Sequence, residues 1–185
     1  MTLREVMATL GDRATGLTIV ILALPFCAPI SIPGLSIPFG AVILVLAMSL
    51  VLGVPAWLPA RLLAVQLPPR FFRIVLEGTS KFIGWIERRL RPRWPWVTAS
   101  PLLRRVHASV VACGALLLLL PLGGVPLTNT LPALVVVVGM LGMLERDGAA
   151  VAAAHALLLT TFAYFAAFAG ALVELIERLT RWWTG

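Results

Sequence analysis

Leu17-Thr-Ile-Val-Ile-Leu-Ala-Leu-Pro25-Phe-Cys-Ala-Pro29 is an apolar stretch broken by prolines, and a similar stretch recurs as Leu116-Leu-Leu-Leu-Leu-Pro121-Leu-Gly-Gly-Val-Pro126. Four landmarks pair between the two copies, namely Pro25 with Pro121, Pro29 with Pro126, Pro38 with Pro132 and Gly53 with Gly148. Proline removes a backbone donor and disfavours helix at the residue before it. Each copy therefore reads as a short helix, a Pro/Gly connector (25–38 and 121–132) and a second short helix, which predicts two re-entrant helical hairpins.

The composition indicates that this chain is embedded in a lipid bilayer. Apolar residues make up 60% of the 185 residues and charged residues only 12%, against about a quarter in soluble domains. The mean hydropathy is +0.99. We predict an all-α integral membrane protein with a single membrane domain. Its segments are repeat one (12–53), a basic connector (54–101), repeat two (102–148) and a long C-terminal transmembrane helix (149–183).

The positive charge is concentrated in the middle of the chain. Residues 54–106 contain ten Lys and Arg residues but only two Glu. Because cytoplasmic segments of membrane proteins are rich in Lys and Arg, we expect this segment to face the cytoplasm. Residues 69–90 have the spacing of a basic amphipathic helix at the membrane interface. Four arginines are predicted to bind lipid headgroups: Arg88, Arg89, Arg91 and Arg93. No aromatic-interleaved soluble module accompanies the charge, so nucleic acid is not an expected partner.

The orientation of the two copies depends on the basic connector. The apolar helices of each copy are shorter than the roughly 20 residues that span a bilayer, whereas Ala149 to Val173 is long enough. If helix 69–90 lies in the interface, both hairpins enter the membrane from one side. If helix 69–90 spans the bilayer, the two copies are inverted. The sequence leaves both arrangements open.

Charges at the edges of the broken segments are the first candidates for a binding site, because intramembrane charges are costly. Ends of broken helices also expose N–H groups that suit an anion. The predicted substrate-binding residues are Asp12, Arg13, Pro25, Pro29, Ser31, Pro38, Pro121, Asn129, Pro132, Glu145, Arg146 and Asp147. A structural role is the alternative, in which Asp12 and Asp147 cap helices and Arg146 reaches lipid phosphates. No metal site, cofactor motif or catalytic motif is present in the sequence.

Several short runs resemble the bacterial exopolysaccharide-synthesis family ExoD. These are Leu10-Gly-Asp-Arg13, Ala23-Leu-Pro25, Trp57-Leu-Pro59, Arg93-Trp-Pro-Trp-Val97 and Leu144-Glu-Arg-Asp-Gly148, the last being the most specific. The resemblance extends from about residue 5 to residue 172. It implies a multi-pass protein of the bacterial inner membrane that is tied to exopolysaccharide production, and it implies no particular reaction.

Two functions from different classes follow from these observations. The first is transport or handling of an anionic or lipid-linked substrate, such as a polyprenyl phosphate, at a pocket between the two repeats. The second is a non-catalytic scaffold that binds anionic lipid or the polysaccharide synthesis machinery through its basic segment. A membrane-embedded enzyme that uses Glu145 or Asp147 is a third, less favoured reading. In each case a chain this small is expected to form a homodimer.

Overall fold

The computed structural model describes residues 14–27, 36–54, 90–120 and 125–184, and within these ranges all regular structure is helical. The elements are α1 (Ala14–Ala23), which continues into a 3-10 turn (Leu24–Cys27), α2 (Ser36–Leu52), α3 (Trp96–Ala99), α4 (Pro101–Leu118), α5 (Thr130–Leu144) and α6 (Gly148–Thr184). The predicted all-α class is confirmed for this part of the chain. The predicted amphipathic helix 69–90 lies outside the described residues.

Helices α1, α2, α4 and α5 surround one apolar core. Fully buried side chains come from every one of these helices, among them Ile19, Ile43, Leu118 and Val136. Helix α5 contacts α1, α4 and α6, and α2 packs against α4. The first helix of each copy thus packs against the second helix of the other copy. This reciprocal pairing makes the two halves of the chain interdependent.

Close helix contacts establish the relative directions of the bundle helices. A Cβ atom at Gly16, near the start of α1, would lie 2.9 Å from the side chain of Leu144, at the end of α5. Gly139 in α5 faces Val111 of α4, and Gly114 further along α4 faces the carbonyl of Pro132 at the start of α5. Helices α1 and α4 are therefore both antiparallel to α5. Gly40 of α2 faces the Ala115 carbonyl near the end of α4, and Gly53 faces Arg105 near its start, so α2 runs in the same direction as α5.

The shared direction gives the bundle two chemically different ends. The end that we call the basic end contains the start of α1, the end of α2, the start of α4, the end of α5 and residues 91–99. The opposite end, the connector end, contains the 3-10 turn, the starts of α2 and α5, and the end of α4. Helix α5 has 15 residues, so the two ends are about 22 Å apart.

The second helix of each copy begins earlier than the sequence indicates. Pro38 and Pro132 were expected to close the connectors, but α2 starts at Ser36 and α5 starts at Thr130. Each proline therefore lies two residues inside its helix. Proline is tolerated in the first turn because the N–H groups there have no intrahelical acceptor. Pro38 and Pro132 are thus each the third residue of a helix.

The second helix of each copy also ends in the same motif. At the end of α2, the Val54 amide donates to the Ser49 carbonyl (3.1 Å), and Gly53 has a φ of 69°. At the end of α5, the Asp147 amide donates to the Gly142 carbonyl (2.8 Å). The left-handed residue there is Arg146, with a φ of 54°. This i to i−5 bond after a left-handed residue is the Schellman arrangement. By backbone conformation Gly53 therefore corresponds to Arg146. The correspondence of Gly53 with Gly148 that the sequence predicted was wrong.

Helix α6 is much longer than the bundle. Its 37 residues correspond to about 55 Å, and the Tyr164 hydroxyl donates to the Pro126 carbonyl (2.6 Å) at the connector end. The helix therefore continues past the connector end for about 20 residues. Two described helices are long and apolar enough to cross a membrane, α4 and the Gly148–Arg178 part of α6. That the connectors lie inside a bilayer stays a prediction.

The Tyr164 hydrogen bond provides a test of how the second connector is held. We expect Tyr164→Phe to lose about 1 kcal/mol of stability, because only the bond to the Pro126 carbonyl is removed. In detergent this corresponds to a melting temperature lower by about 3 °C, measured by thermal unfolding. A melting temperature equal to that of the unaltered protein would show that water replaces the bond without cost.

Candidate functional site

Asp147 joins three segments of the chain at the basic end. Its side chain is 2% exposed. Oδ1 accepts hydrogen bonds from the amides of Ala149 (3.0 Å) and Ala150 (3.2 Å), which are the unpaired donors at the start of α6. Oδ2 accepts a bond from the Arg91 amide (3.1 Å), 56 residues earlier in the chain. The predicted N-cap role of Asp147 is thus present, with an additional bond to the segment before α3.

Gly148 brings that segment into direct backbone contact with the start of α6. The Gly148 amide donates to the Arg93 carbonyl (2.7 Å). A Cβ at position 148 would lie 2.9 Å from the Trp94 carbonyl oxygen and 3.1 Å from the Arg93 carbonyl oxygen. Only glycine fits this close approach of two backbones. The Asp-Gly pair of the Leu-Glu-Arg-Asp-Gly run therefore fixes the position of residues 91–94.

The basic end contains a cavity of about 590 Å³. Five separate stretches of the chain line it, and together they contribute two cations and a wall of mixed polar and apolar character. Its lining residues are Thr15, Gly16, Leu50, Pro95, Trp96, Thr98, Ala99, Arg104, Met140, Met143, Leu144 and Arg146. The volume lies within the range of about 300–1,000 Å³ that is usual for small-molecule sites. An anionic headgroup with an adjoining apolar part matches this lining.

Arg146 occupies its place in the cavity at a conformational cost. Left-handed backbone costs a residue with a Cβ about 1–2 kcal/mol, and glycine is the usual residue at this position of a Schellman motif. The corresponding position at the end of α2 is Gly53. Strained backbone that persists is a pointer to function when the side chain is aimed at a site. Here Arg146 is one of the residues that line the cavity.

A second, smaller cavity adjoins the first. It measures about 280 Å³ and lies between the end of α2 and the start of α4. Its lining consists of Ser49, Leu50, Gly53, Val54, Pro101, Arg104, Arg105 and Met143. Leu50, Arg104 and Met143 line both cavities. Arg104 thus stands at the boundary between the two cavities.

The predicted binding residues fall at opposite ends of the bundle. Glu145, Arg146 and Asp147 are at the basic end, where only Arg146 lines the large cavity. The residues at the connector end are Pro25, Pro38, Asn129 and Pro132. Asn129 is buried and makes no side-chain cap bond to α5. The structure thus does not bring these two groups together in one cavity. Asp12, Arg13, Pro29, Ser31, Pro121, Arg88 and Arg89 lie outside the described residues.

Sequence analysis did not single out Arg104 as a cavity residue. It is one of the ten cations of residues 54–106, and nothing in its local sequence distinguishes it from Arg105. Its position in the cavity depends on α2, α3 and α5 packing around the start of α4. The predicted headgroup residues Arg91 and Arg93 are exposed at the same end but line neither cavity.

Two histidines meet at the crossing of α4 and α6. Their rings are 5.3 Å apart and nearly perpendicular. The Nε2 atom of His107 lies 3.0 Å from the Val97 carbonyl oxygen, and Nδ1 of His155 lies 2.9 Å from the Val151 carbonyl oxygen. These contacts fit packing residues, each of which hydrogen-bonds through one ring nitrogen. Among the described residues, no group of three or more His, Cys, Asp and Glu side chains is arranged to hold a metal ion.

Comparison with known proteins gives the family. The family described as "Exopolysaccharide synthesis, ExoD" matches residues 1–167. The chain is 36% identical over 166 residues to "Protein ExoD" of Rhizobium meliloti (strain 1021), covering 90% of this chain and 69% of that protein. It is 31% identical over 147 residues to an uncharacterized protein of Synechocystis sp., covering 79% and 68% of the two chains. No solved structure matches it. The chain therefore belongs to the ExoD family of exopolysaccharide synthesis, as its short sequence runs indicated.

Proposed function

We propose that this chain is a membrane protein of exopolysaccharide production that handles an anionic, lipid-linked substrate by binding its phosphate at the basic end. The phosphate would lie between Arg104 and Arg146 in the large cavity. Arginine suits this role because its planar guanidinium can bind phosphate oxygens through two hydrogen bonds. The observation that carries the proposal is the left-handed backbone of Arg146, which favours glycine for stability and arginine only for its side chain.

The walls beneath the two arginines suit the lipid part of such a substrate. Met140, Met143 and Leu144 of α5 line the same cavity. Methionine adapts its shape to flexible apolar groups. A polyprenyl chain could therefore pass along α5 while its phosphate remains at the arginines. The site would lie at the membrane surface, rather than at the midplane pocket between connectors that the sequence suggested.

The charge distribution supports a cytoplasmic position for the basic end. Among the described residues, this end has five arginines and two carboxylates: Arg91, Arg93, Arg104, Arg105, Arg146, Glu145 and Asp147. The far end of α6 has two of each sign: Glu174, Glu177, Arg178 and Arg181. By the positive-inside rule the basic end faces the cytoplasm. Since α5 extends only about 22 Å, the hairpins would end within the hydrocarbon, and α6 would cross it completely.

The test uses a variant that separates binding from folding. Arg146→Gly removes the guanidinium but relieves the left-handed strain, so its melting temperature should equal or exceed that of the unaltered protein. We expect its affinity for a polyprenyl monophosphate, measured in phosphatidylcholine nanodiscs, to fall about tenfold. Arg104→Gln should lower the affinity to a similar extent.

The matched control is Arg91→Gln. It removes one exposed arginine from the same end, outside both cavities, and keeps the backbone amide that binds Asp147. Its affinity for polyprenyl monophosphate should not change. Equal affinity for all three variants would contradict the proposed site.

A scaffold that binds anionic lipid or a synthase partner is the second candidate. It is supported by the exposed cationic and aromatic segment at the basic end, where Trp94 is 56% and Trp96 is 71% exposed. The two candidates predict opposite rankings for polysaccharide output in cells that carry only the variant chain. A larger loss with Arg91→Gln than with Arg146→Gly favours the scaffold, and the reverse order favours the binding cavity.

A further inference from the structure

We infer that the lipid-linked ligand carries two phosphate groups, one in each of the two adjoining cavities. The inference rests on the proposed function, because it concerns the same site and specifies its ligand as a lipid diphosphate. Arg146 and Arg104 line the large cavity, and Arg104 and Arg105 line the small one. Two adjoining cavities with three arginines match a ligand with two linked phosphates. Arg104 would then lie between the two phosphates.

Arg105 is exposed, and its side chain reaches the turn at the end of α2. Its Nη2 atom lies 3.0 Å from the point where a Cβ of Gly53 would be. A side chain at position 53 would make this guanidinium shift by a few tenths of an ångström. Gly53 is also left-handed, so glycine serves both the turn and the close approach of Arg105. The small cavity thus has two arginines, Arg104 and Arg105, in its lining beside this turn.

The charge balance at the site favours an anion with more than one phosphate. The salt bridges Glu174–Arg178 and Glu177–Arg181 lie in α6, far from the cavities. No salt bridge within residues 14–27, 36–54, 90–120 and 125–184 joins Arg104, Arg105 or Arg146 to a carboxylate. A phosphate monoester carries about −1.5 to −2 charges at neutral pH, which leaves part of three positive charges uncompensated. The start of α4, at Pro101 in the small cavity, adds a partial positive charge from the helix dipole.

The experiment compares three ligands in phosphatidylcholine nanodiscs that contain the full chain. They are a polyprenyl diphosphate, the monophosphate of the same chain length, and inorganic pyrophosphate. We expect the lipid diphosphate to bind about tenfold more tightly than either of the other two. Arg105→Gln should remove the preference for the diphosphate while leaving the affinity for the monophosphate unchanged. Arg91→Gln, outside both cavities, should change neither affinity.

The possible failures of this experiment are distinguishable. Equal affinities for the lipid diphosphate and the monophosphate would overturn the two-phosphate inference and leave the proposed function in place. Equal affinities for pyrophosphate and the lipid diphosphate would overturn the lipid-linked part of the inference. No binding of either lipid would overturn the proposed function itself. A diphosphate preference that survives Arg105→Gln would overturn the assignment of the second phosphate to the small cavity.

Discussion

We expect Asp147→Ala to lower the stability of the protein by about 2 kcal/mol. The substitution removes the acceptor for the Ala149 and Ala150 amides and the acceptor for the Arg91 amide. Loss of a helix cap costs about 0.5–2 kcal/mol, and a lost hydrogen bond about 1 kcal/mol. For a chain of this size the melting temperature in detergent should fall by about 4–8 °C.

Asp147→Asn separates the contribution of the helix cap from that of the bond to the Arg91 amide. Asparagine caps helices as well as aspartate does, so the bonds to the start of α6 can persist. The amide nitrogen that replaces Oδ2 cannot accept a bond from the Arg91 amide. Thermal unfolding of Asp147→Asn should therefore give a melting temperature between those of Asp147→Ala and the unaltered protein. If Asp147→Ala has the same melting temperature as the unaltered protein, the hydrogen bonds of the Asp147 side chain do not stabilise the basic end.

The proline pattern predicts the helices but not their ends. The ends of α1 at Ala23 and of α4 at Leu118 were recognisable because a proline that follows shortly afterwards cannot continue a helix. Pro38 and Pro132 were misplaced because a proline in the first turn and a proline before the helix look the same in a sequence. Gly53 was paired with Gly148 by residue type, whereas the left-handed position of α5 is held by Arg146. Conformation at a helix end follows hydrogen bonding, which residue identity reflects only in part.

The candidate site was only partly accessible from the sequence. Arg146 and Asp147 were identified because charges beside apolar segments are costly and therefore conspicuous. Arg104 was not, because its role arises from tertiary packing of five distant stretches. The expectation that connector and charge residues share a pocket also fails for the described residues. Helix α5 lies between Asn129 and Arg146 and holds them about 22 Å apart.

Gly142→Ala should be still more disruptive, because α5 and α6 touch at this point without room for a side chain. A Cβ at Gly142 would lie 2.8 Å from the Val151 amide nitrogen and 2.9 Å from its Cγ2 atom. Since a backbone atom is the nearest neighbour, the helices must separate, which costs about 1–3 kcal/mol. Separation would also disturb the bond from the Asp147 amide to the Gly142 carbonyl. We expect a melting temperature lower by about 5–10 °C.

Gly170→Ala is the matched control for this effect. Gly170 is in α6, and a Cβ there would have no atom within 4 Å. Because alanine is the better helix former, this variant should be as stable as the unaltered protein or more stable by about 0.5–1 kcal/mol. The same chemical change thus has opposite expected signs at the two glycines. Thermal unfolding of both variants decides the matter, since equal melting temperatures would mean that α6 does not pack closely against α5 at Gly142.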